Sequence, residues 1–246
     1  MDTLQGKVAL VTGGSRGIGA AIARRLAADG ADVAVTYVSS PEKAESVVAE
    51  IKKLGRRGVA IKADSADAAA VKAAVDKTAA ELGRLDILVN NAGVFIPSKF
   101  EETSVADIEK QWKVNVQAPI VASQAAIRHM KEGGRIITIG SCLGERVSFP
   151  GVTLYSMTKA AVVGLTRGLA RDLGSKGICV NVVEPGPIDT DMNPADAEGA
   201  ADQAASTALG RYGQPQDIAD MVAHLAGESG RYITGAAFLV DGGFAA

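Results

Sequence analysis

Short runs of apolar and β-branched residues alternate with longer amphipathic segments along the whole chain. Runs that are apolar almost throughout are typical of parallel strands covered on both faces, and the longer segments have the period of helices. Seven runs predict strands at residues 8–11, 33–36, 59–63, 87–90, 135–139, 179–183 and 237–240. The segments between them predict helices at residues 18–29, 41–54, 66–82, 105–130, 153–173 and 215–226.

This alternation predicts an α/β fold, in which a doubly wound, seven-stranded parallel sheet carries helices on both faces. No linker rich in proline or serine, block of charge or repeat divides the chain, so residues 1–246 are expected to form a single domain. Residues 191–214 break the rhythm, because this stretch of 24 residues lies between the sixth strand and the next helix without the pattern of either. A connection of that length in a compact domain is usually functional, and we expect a lid over a cleft.

Composition and charge indicate which partners and which cellular compartment to expect. The hydrophobic content of 47% supports a sizeable core, and the net charge of −2 gives no reason to expect nucleic acid or a membrane as a partner. The two cysteines, Cys142 and Cys179, form no disulfide framework, and neither a targeting leader nor a membrane-spanning run is visible. We therefore expect a soluble cytoplasmic protein, and no metal-ligand spacing is present.

A glycine-rich turn at residues 12–19 joins the first predicted strand to the first helix. Gly13 permits the tight turn, Gly17 lets the backbone approach a pyrophosphate, and Gly19 lets the helix and strand pack closely. The helix N-terminus adds N–H groups and the positive end of its dipole. Strand, turn and helix in this order predict a dinucleotide-binding site.

Tyr155 and Lys159 lie four residues apart in the fifth predicted helix, so both side chains project from one face. A free tyrosine has a pKa of about 10, which a neighbouring ammonium lowers toward the range useful for proton exchange. Ser141 follows the fifth strand, at the edge of the sheet where doubly wound proteins bind ligands. Together with the glycine-rich turn, these side chains point to redox chemistry between a carbonyl and an alcohol.

The glycine spacing G-x-x-x-G-x-G and the order of the other motifs resemble the classical short-chain dehydrogenase/reductase family, and within it the bacterial 3-oxoacyl-[acyl-carrier-protein] reductases. The resemblance covers essentially the whole chain and implies a Rossmann domain. Besides the glycine-rich turn, the matching residues are Asp64, 90–93, Asn115, Ser141, Tyr155, Lys159, 185–190 and 233–243.

The resemblance implies four catalytic residues. Tyr155 would be the general acid that protonates the carbonyl oxygen as hydride arrives from the nicotinamide. Lys159 would tune Tyr155 and also bind the nicotinamide ribose hydroxyls, and Ser141 would hold the substrate oxygen. Asn115 would interrupt the long fourth helix and keep a water in a proton relay from Lys159.

The cofactor expected is NADP(H). Proteins that bind NAD usually place an acidic residue after the second strand, and residues 36–40 contain no carboxylate. Arg16 can instead pair with a 2′-phosphate, and Ser39 and Ser40 can add hydrogen bonds. The predicted cofactor-binding residues are Gly13, Ser15, Arg16, Gly17, Ile18, Gly19, Tyr37, Ser39, Ser40, Asp64, Ser65, Asn90, Asn91, Ala92, Gly93, Tyr155, Lys159, Pro185, Gly186, Ile188 and Thr190.

The predicted substrate pocket is mostly apolar, with Phe95, Leu143, Val147, Phe149 and Met192 in its walls. A modest ketone, aldehyde or 3-oxo compound would fit such a pocket. An NADPH-dependent carbonyl reductase or alcohol dehydrogenase is therefore our first hypothesis.

Two alternatives stay open. A 3-oxoacyl reductase is the runner-up: residues 132–134 lack the basic side chains that often dock an acidic carrier protein, although Lys176 matches a second basic position. The other is a nucleotide-binding sensor, because some relatives with a segment similar to 186–191 have been discussed as binders of signalling nucleotides. All four implied catalytic residues are present, which favours the enzyme.

The resemblance also implies a homotetramer, because family members commonly pair the two long helices after the fourth and fifth strands. Those helices, at 105–130 and 153–173, have the length and the apolar content for such pairing. The short apolar ending, 240–246, could insert into a neighbouring subunit.

Overall fold

The computed structural model describes residues 4–246. Residues 1–3, which the expected domain and the search for a leader both include, lie outside the described part. Within it the strands form one parallel sheet in the order β3-β2-β1-β4-β5-β6-β7, and the predicted α/β fold class is confirmed. The strands are β1 (Val8–Val11), β2 (Asp32–Tyr37), β3 (Gly58–Lys62), β4 (Ile87–Asn90), β5 (Arg135–Ile139), β6 (Cys179–Pro185) and β7 (Ala237–Val240).

Helices follow the strands at the predicted places, with one interruption. The predicted helix at 105–130 is broken by a turn of π-helix at Lys113–Gln117. The α-helices are α1 (Gly17–Ala28), α2 (Pro41–Lys53), α3 (Ala68–Leu82), α4 (Val105–Trp112), α5 (Ala118–Ile127), α6 (Thr153–Leu173), α7 (Ala200–Ala205) and α8 (Pro215–Ala226).

The sheet has a buried apolar layer on each face, because successive side chains of a strand point to opposite sides. Val11 of β1 packs in one layer with Ile22 of α1 and Ile218 of α8. Leu10, its neighbour in sequence, packs in the other layer with Val75 of α3. Covering both faces fixes the strand ends, from which the loops that carry polar residues leave.

The strand order reverses at β1, which pairs with β2 on one side and β4 on the other. Connections from these two strands leave the sheet in opposite directions, so a crevice forms between them at the carboxyl edge. The loops after β1, β4, β5 and β6 all reach this edge.

The expected lid at 191–214 is partly helical, with α7 in its middle. Its later part is tied to the body of the protein. Ile188 pairs with Gly213 in an isolated parallel bridge, and the Leu209 N–H donates to the Gly242 carbonyl at 3.0 Å. Among residues 4–246, no helix combines the length and the apolarity that crossing a bilayer requires.

Candidate active site

A cavity of about 890 Å³ opens at the carboxyl edge of the sheet, between the glycine-rich turn and the segment that begins at Thr190. Of the predicted cofactor-binding residues, all line this cavity except Asn90. Of the five predicted pocket residues, all line it except Val147. Ser141, Tyr155 and Lys159 line it as well, and Asn115 lies behind them.

Asn90 and Val147 point elsewhere for different reasons. Asn90 is the last residue of β4 and is buried, and its amide reaches Ser123 Oγ at 3.4 Å and Thr138 Oγ1 at 3.5 Å. It therefore braces the sheet from below the cavity. Val147 lies on the loop between β5 and α6 with 56% of its surface exposed, so it adds no wall to the cavity.

Hydrogen bonds fasten the glycine-rich turn to the loop after β4. Thr12 Oγ1 accepts from the N–H groups of Asn91 and Ala92 at 3.0 and 3.1 Å, and Asn91 Nδ2 donates to the Thr12 and Gly13 carbonyls at 2.9 and 3.1 Å. A Cβ on Gly19 would lie 2.4 Å from Asn91 Nδ2, so only glycine fits there. The sequence analysis did not single out Thr12, whose role depends on a partner 79 residues away.

Two cations converge on one carboxylate oxygen at the mouth of the cavity. Arg16 Nη1 lies 3.4 Å and Lys43 Nζ lies 3.2 Å from Asp191 Oδ2. These ion pairs lower the pKa of Asp191. Ser39 and Ser40 line the cavity on the same side. The sequence pattern indicates Arg16 but not Lys43, because only the fold brings the start of α2 to this mouth.

Asn115 sits in the π-helical turn and ties three segments together. Its Oδ1 accepts from the Val94 N–H at 2.9 Å, and its Nδ2 donates to the Val94 carbonyl at 2.9 Å and to Thr158 Oγ1 at 3.1 Å. Single π-helical turns are frequent at functional sites. Here the turn brings a buried amide against both the loop after β4 and helix α6.

The ring of Tyr155 is held by apolar neighbours. Phe95 meets it edge to face, with ring centroids 4.9 Å apart and an interplanar angle of 85°. Leu143 and Phe244 pack in the same cluster. Phe244 belongs to the ending 240–246, and within this chain it packs beside Tyr155.

Burial controls the protonation of the Tyr155–Lys159 pair. It raises the pKa of Tyr155 to about 12, while a hydrogen bond with Ser141 opposes the rise. It lowers the pKa of Lys159 to about 8. Lys159 Nζ lies 5.5 Å from the Tyr155 ring centroid and donates to the Ile139 carbonyl at 2.9 Å.

The expectation that Lys159 makes Tyr155 acidic is thus not met in this structure, because burial raises the pKa of the phenol and Lys159 is not among the groups that lower it. At neutral pH the phenol is protonated, which is the form that donates a proton to a carbonyl oxygen.

Cys142 is not a nucleophile in this setting. Its thiol is buried, and burial raises its pKa to about 12, so almost no thiolate is present near neutral pH. No group of three or more metal-ligating side chains occurs within residues 4–246.

Glu184 is a buried carboxyl group that the sequence analysis did not notice. It belongs to β6, is 1% exposed, and neither of its oxygens has a hydrogen-bond partner among the described residues. Burial raises its pKa to about 7; the charges of Glu145 and Asp241 add to the rise, and those of Arg167 and Lys159 oppose it.

The model of the family described as "Enoyl-(Acyl carrier protein) reductase" matches residues 13–245. The chain belongs to the short-chain dehydrogenase/reductase family. The family is one of oxidoreductases, and the predicted resemblance is confirmed.

Individual relatives cover the whole chain. A short-chain dehydrogenase from Burkholderia cenocepacia J2315, solved in complex with NADP, is 57% identical with a TM-score of 0.98, and the match covers 100% of both chains. The "Cyclic-di-GMP-binding biofilm dispersal mediator protein" of Escherichia coli K12 is 45% identical over 100% of both chains. A 3-oxoacyl-[acyl-carrier-protein] reductase of Staphylococcus aureus is 43% identical over 96% of this chain and 97% of its own.

The Glu184→Gln substitution should make the stability of the protein less dependent on pH. The carboxyl group has an ordinary pKa of 4.5 and a folded value of about 7, so it ionises more readily in the unfolded chain. The free energy of unfolding of the wild type should therefore decrease as the pH rises from about 4.5 to about 7, and it should stay at the lower level at higher pH.

At about pH 8 the variant should be more stable than the wild type by on the order of 2–3 kcal/mol, and near pH 4.5 the gap should close. Urea unfolding followed by circular dichroism at both pH values measures this. The same gap at both would contradict the raised pKa.

Proposed function

We propose that the protein is an NADPH-dependent carbonyl reductase or alcohol dehydrogenase that acts on a small or medium ketone or aldehyde. The observation that carries the proposal is the protonated phenol of Tyr155, which faces a cavity of about 890 Å³ beside Ser141 and Lys159. Carbonyl reduction needs a proton donor close to the substrate oxygen, and Tyr155 with its neighbours Ser141 and Lys159 provides one.

The residues present fit a dinucleotide with a 2′-phosphate. Gly13 and Gly17 adopt φ values of +63° and +52°, so the turn presents N–H groups at the start of α1 to a pyrophosphate. Arg16 and Lys43 already share one anion, the Asp191 carboxylate, and would hold the 2′-phosphate in its place. When bound, NADPH would supply the hydride. A relative that is 57% identical was solved with NADP, which supports this cofactor.

The contacts of each side chain indicate its role in the proposed reaction. Tyr155 donates the proton, and the edge of Phe95 holds its ring in place. Ser141, hydrogen-bonded to Tyr155, orients the substrate oxygen. Lys159 binds the ribose hydroxyls, and Asn115 fixes the loop after β4 against α6.

The substrate wall favours an apolar carbonyl compound. Phe95, Leu143, Phe149, Met192 and Phe244 line the substrate side of the cavity. The 43% identity to a 3-oxoacyl-[acyl-carrier-protein] reductase keeps a 3-oxoacyl thioester as the alternative substrate. Residues 132–134, which carry no basic side chain, favour the smaller substrate.

Residues 191–214 would act as the lid of this cavity, within the single domain proposed for the chain. Asp191, Met192, Asn193 and Gln203 of this segment line the cavity. Asp191 pairs with Arg16 across the mouth of the cavity, so the start of this segment lies against the glycine-rich turn.

A signalling-nucleotide sensor is the second candidate, and the name of the Escherichia coli relative favours it. The same glycine-rich turn and cations could receive the phosphates of a cyclic dinucleotide. A carbonyl panel without turnover, together with tight binding of cyclic-di-GMP, would favour the sensor over the reductase.

Exposed apolar side chains support the proposed homotetramer. Trp112 is 46% exposed on α4, and Met157 is 46% exposed on α6, the two helices that would pair. Val105 and Ile108 extend the same helix surface. Contiguous apolar patches on soluble proteins commonly mark protein interfaces.

Replacing Tyr155 with phenylalanine should lower kcat for carbonyl reduction by about two to four orders of magnitude, because the proton donor is lost. NADPH binding, followed by fluorescence titration, should persist. The matched control is Tyr232→Phe at a fully exposed ring, which should behave as wild type. Near wild-type turnover by the Tyr155 variant would refute the assignment.

The Arg16→Ala variant should bind NADPH about 10- to 100-fold more weakly while its affinity for NADH stays nearly unchanged, because only the 2′-phosphate loses a charged hydrogen bond. Titrations with both cofactors measure this. Arg231→Ala removes an arginine from a distant surface ion pair and serves as the control. Equal kcat/KM of the wild type with NADPH and NADH would contradict the cofactor assignment.

Light scattering at micromolar concentration should give the mass of a tetramer. Trp112→Glu should halve that mass, because a charge would be buried at one of the helix interfaces. Leu54→Glu, at the end of α2, should leave the assembly unchanged. A monomeric wild type would contradict the proposed assembly.

A further inference from the structure

Glu184 and Lys159 lie at the same end of the packing between β6 and α6. Val182 of β6 packs with Val162 and Val163 of α6. Glu184 is two residues after Val182 and returns to the same face of the strand, whereas Lys159 is one helical turn before Val162. A crossover helix runs antiparallel to the strands of the sheet. Moving forward along β6 to Glu184 and backward along α6 to Lys159 therefore leads to the same carboxyl edge.

Both side chains approach the end of β5. Lys159 Nζ donates to the Ile139 carbonyl at 2.9 Å, and a Cβ on the next residue, Gly140, would lie 3.0 Å from Glu184 Cγ. Each group also acts on the other electrostatically: the carboxylate raises the pKa of Lys159, and the ammonium lowers the pKa of Glu184.

Other charges face Glu184 from three sides. Arg167 approaches from α6, Glu145 from the loop after β5, and Asp241 from the turn after β7. Glu145 and Arg167 are exposed, and Asp241 accepts hydrogen bonds from the N–H groups of Gly243 and Ala245. The oxygens of Glu184 have no such partner within residues 4–246, so no hydrogen bond from these residues competes with its interaction with Lys159.

We propose that Glu184 is a positioning residue of the reaction: its carboxylate is the counter-charge that keeps the buried Lys159 amine protonated. This inference rests on the proposed function, in which Lys159 must carry its charge to bind the ribose hydroxyls. Burial pushes Lys159 toward the neutral amine, and Glu184 opposes that loss of charge. Above neutral pH the carboxyl group ionises and its support for the ammonium becomes complete.

A packing role alone does not account for a carboxyl group at this position. A buried carboxylate without partners destabilises a fold, and a neutral side chain of similar volume would fill the space without that cost. Its neighbours in β6, Val182 and Val183, are the apolar residues expected of a buried strand.

The test is the pH dependence of NADPH binding in wild type, Glu184→Gln and Glu184→Asp, measured by fluorescence titration from about pH 6 to pH 9.5. The glutamine variant removes the charge at nearly constant volume. Its loss of affinity at alkaline pH should begin roughly half to one pH unit below that of the wild type. The aspartate variant, which keeps the charge, should recover part of the shift. At the acidic end of the pH range, where the 2′-phosphate titrates, all three proteins should show the same change of NADPH affinity with pH.

Glu145→Gln is the matched control, because it removes an exposed carboxylate that also faces Glu184. Its binding curve should stay close to the wild type. Coinciding curves for wild type and Glu184→Gln would overturn the proposal, and so would an equal shift in the Glu145 control.

The parallel measurement is kcat/KM against pH for a carbonyl substrate, which should show the same displacement. If no carbonyl is reduced by any of these proteins while the binding curves still separate, the proposed function fails and the role of Glu184 stands. If turnover is normal and the curves coincide, the role of Glu184 fails and the proposed function stands.

Discussion

The hydrogen bonds between Thr12 and the loop after β4 hold the whole site in place. They join the two strands between which the order of the sheet reverses, and so fix the two walls of the crevice relative to each other. The same contact excludes a side chain at Gly19, which lets α1 begin close to the sheet. The N-terminus of α1 can then face the crevice, and the other loops pack around that fixed point.

Burial determines the protonation states of the ionisable groups at the site. Burial favours the neutral forms of Tyr155, Lys159 and Glu184 alike, with pKa values of about 12, 8 and 7. A protonated phenol suits the proposed reduction, whereas a neutral lysine would weaken the hold that we propose for it on the ribose. The carboxylate of Glu184 opposes this effect, because it favours the protonated form of Lys159 while the amine stays buried.

Much of the fold could be predicted from the sequence, because continuous apolar runs are distinctive of buried parallel strands. The periodicity alone predicts an unbroken helix at 105–130, whereas the family resemblance predicts the interruption at Asn115, whose amide bonds to Val94 in the structure. Val147 was misplaced because an apolar residue in a loop has no period that shows which way it points. Lys43 and Glu184 were missed because their roles depend on partners that are distant in sequence.

Phe244 gives the end of the chain a part in the active site. The ring lines the cavity and packs on Leu143 and Tyr155, and the Ala246 carbonyl accepts a hydrogen bond from Arg146 at 2.5 Å. A change in residues 244–246 would therefore reach the ring of Tyr155 through Phe244, although these residues lie about 90 positions away in the sequence.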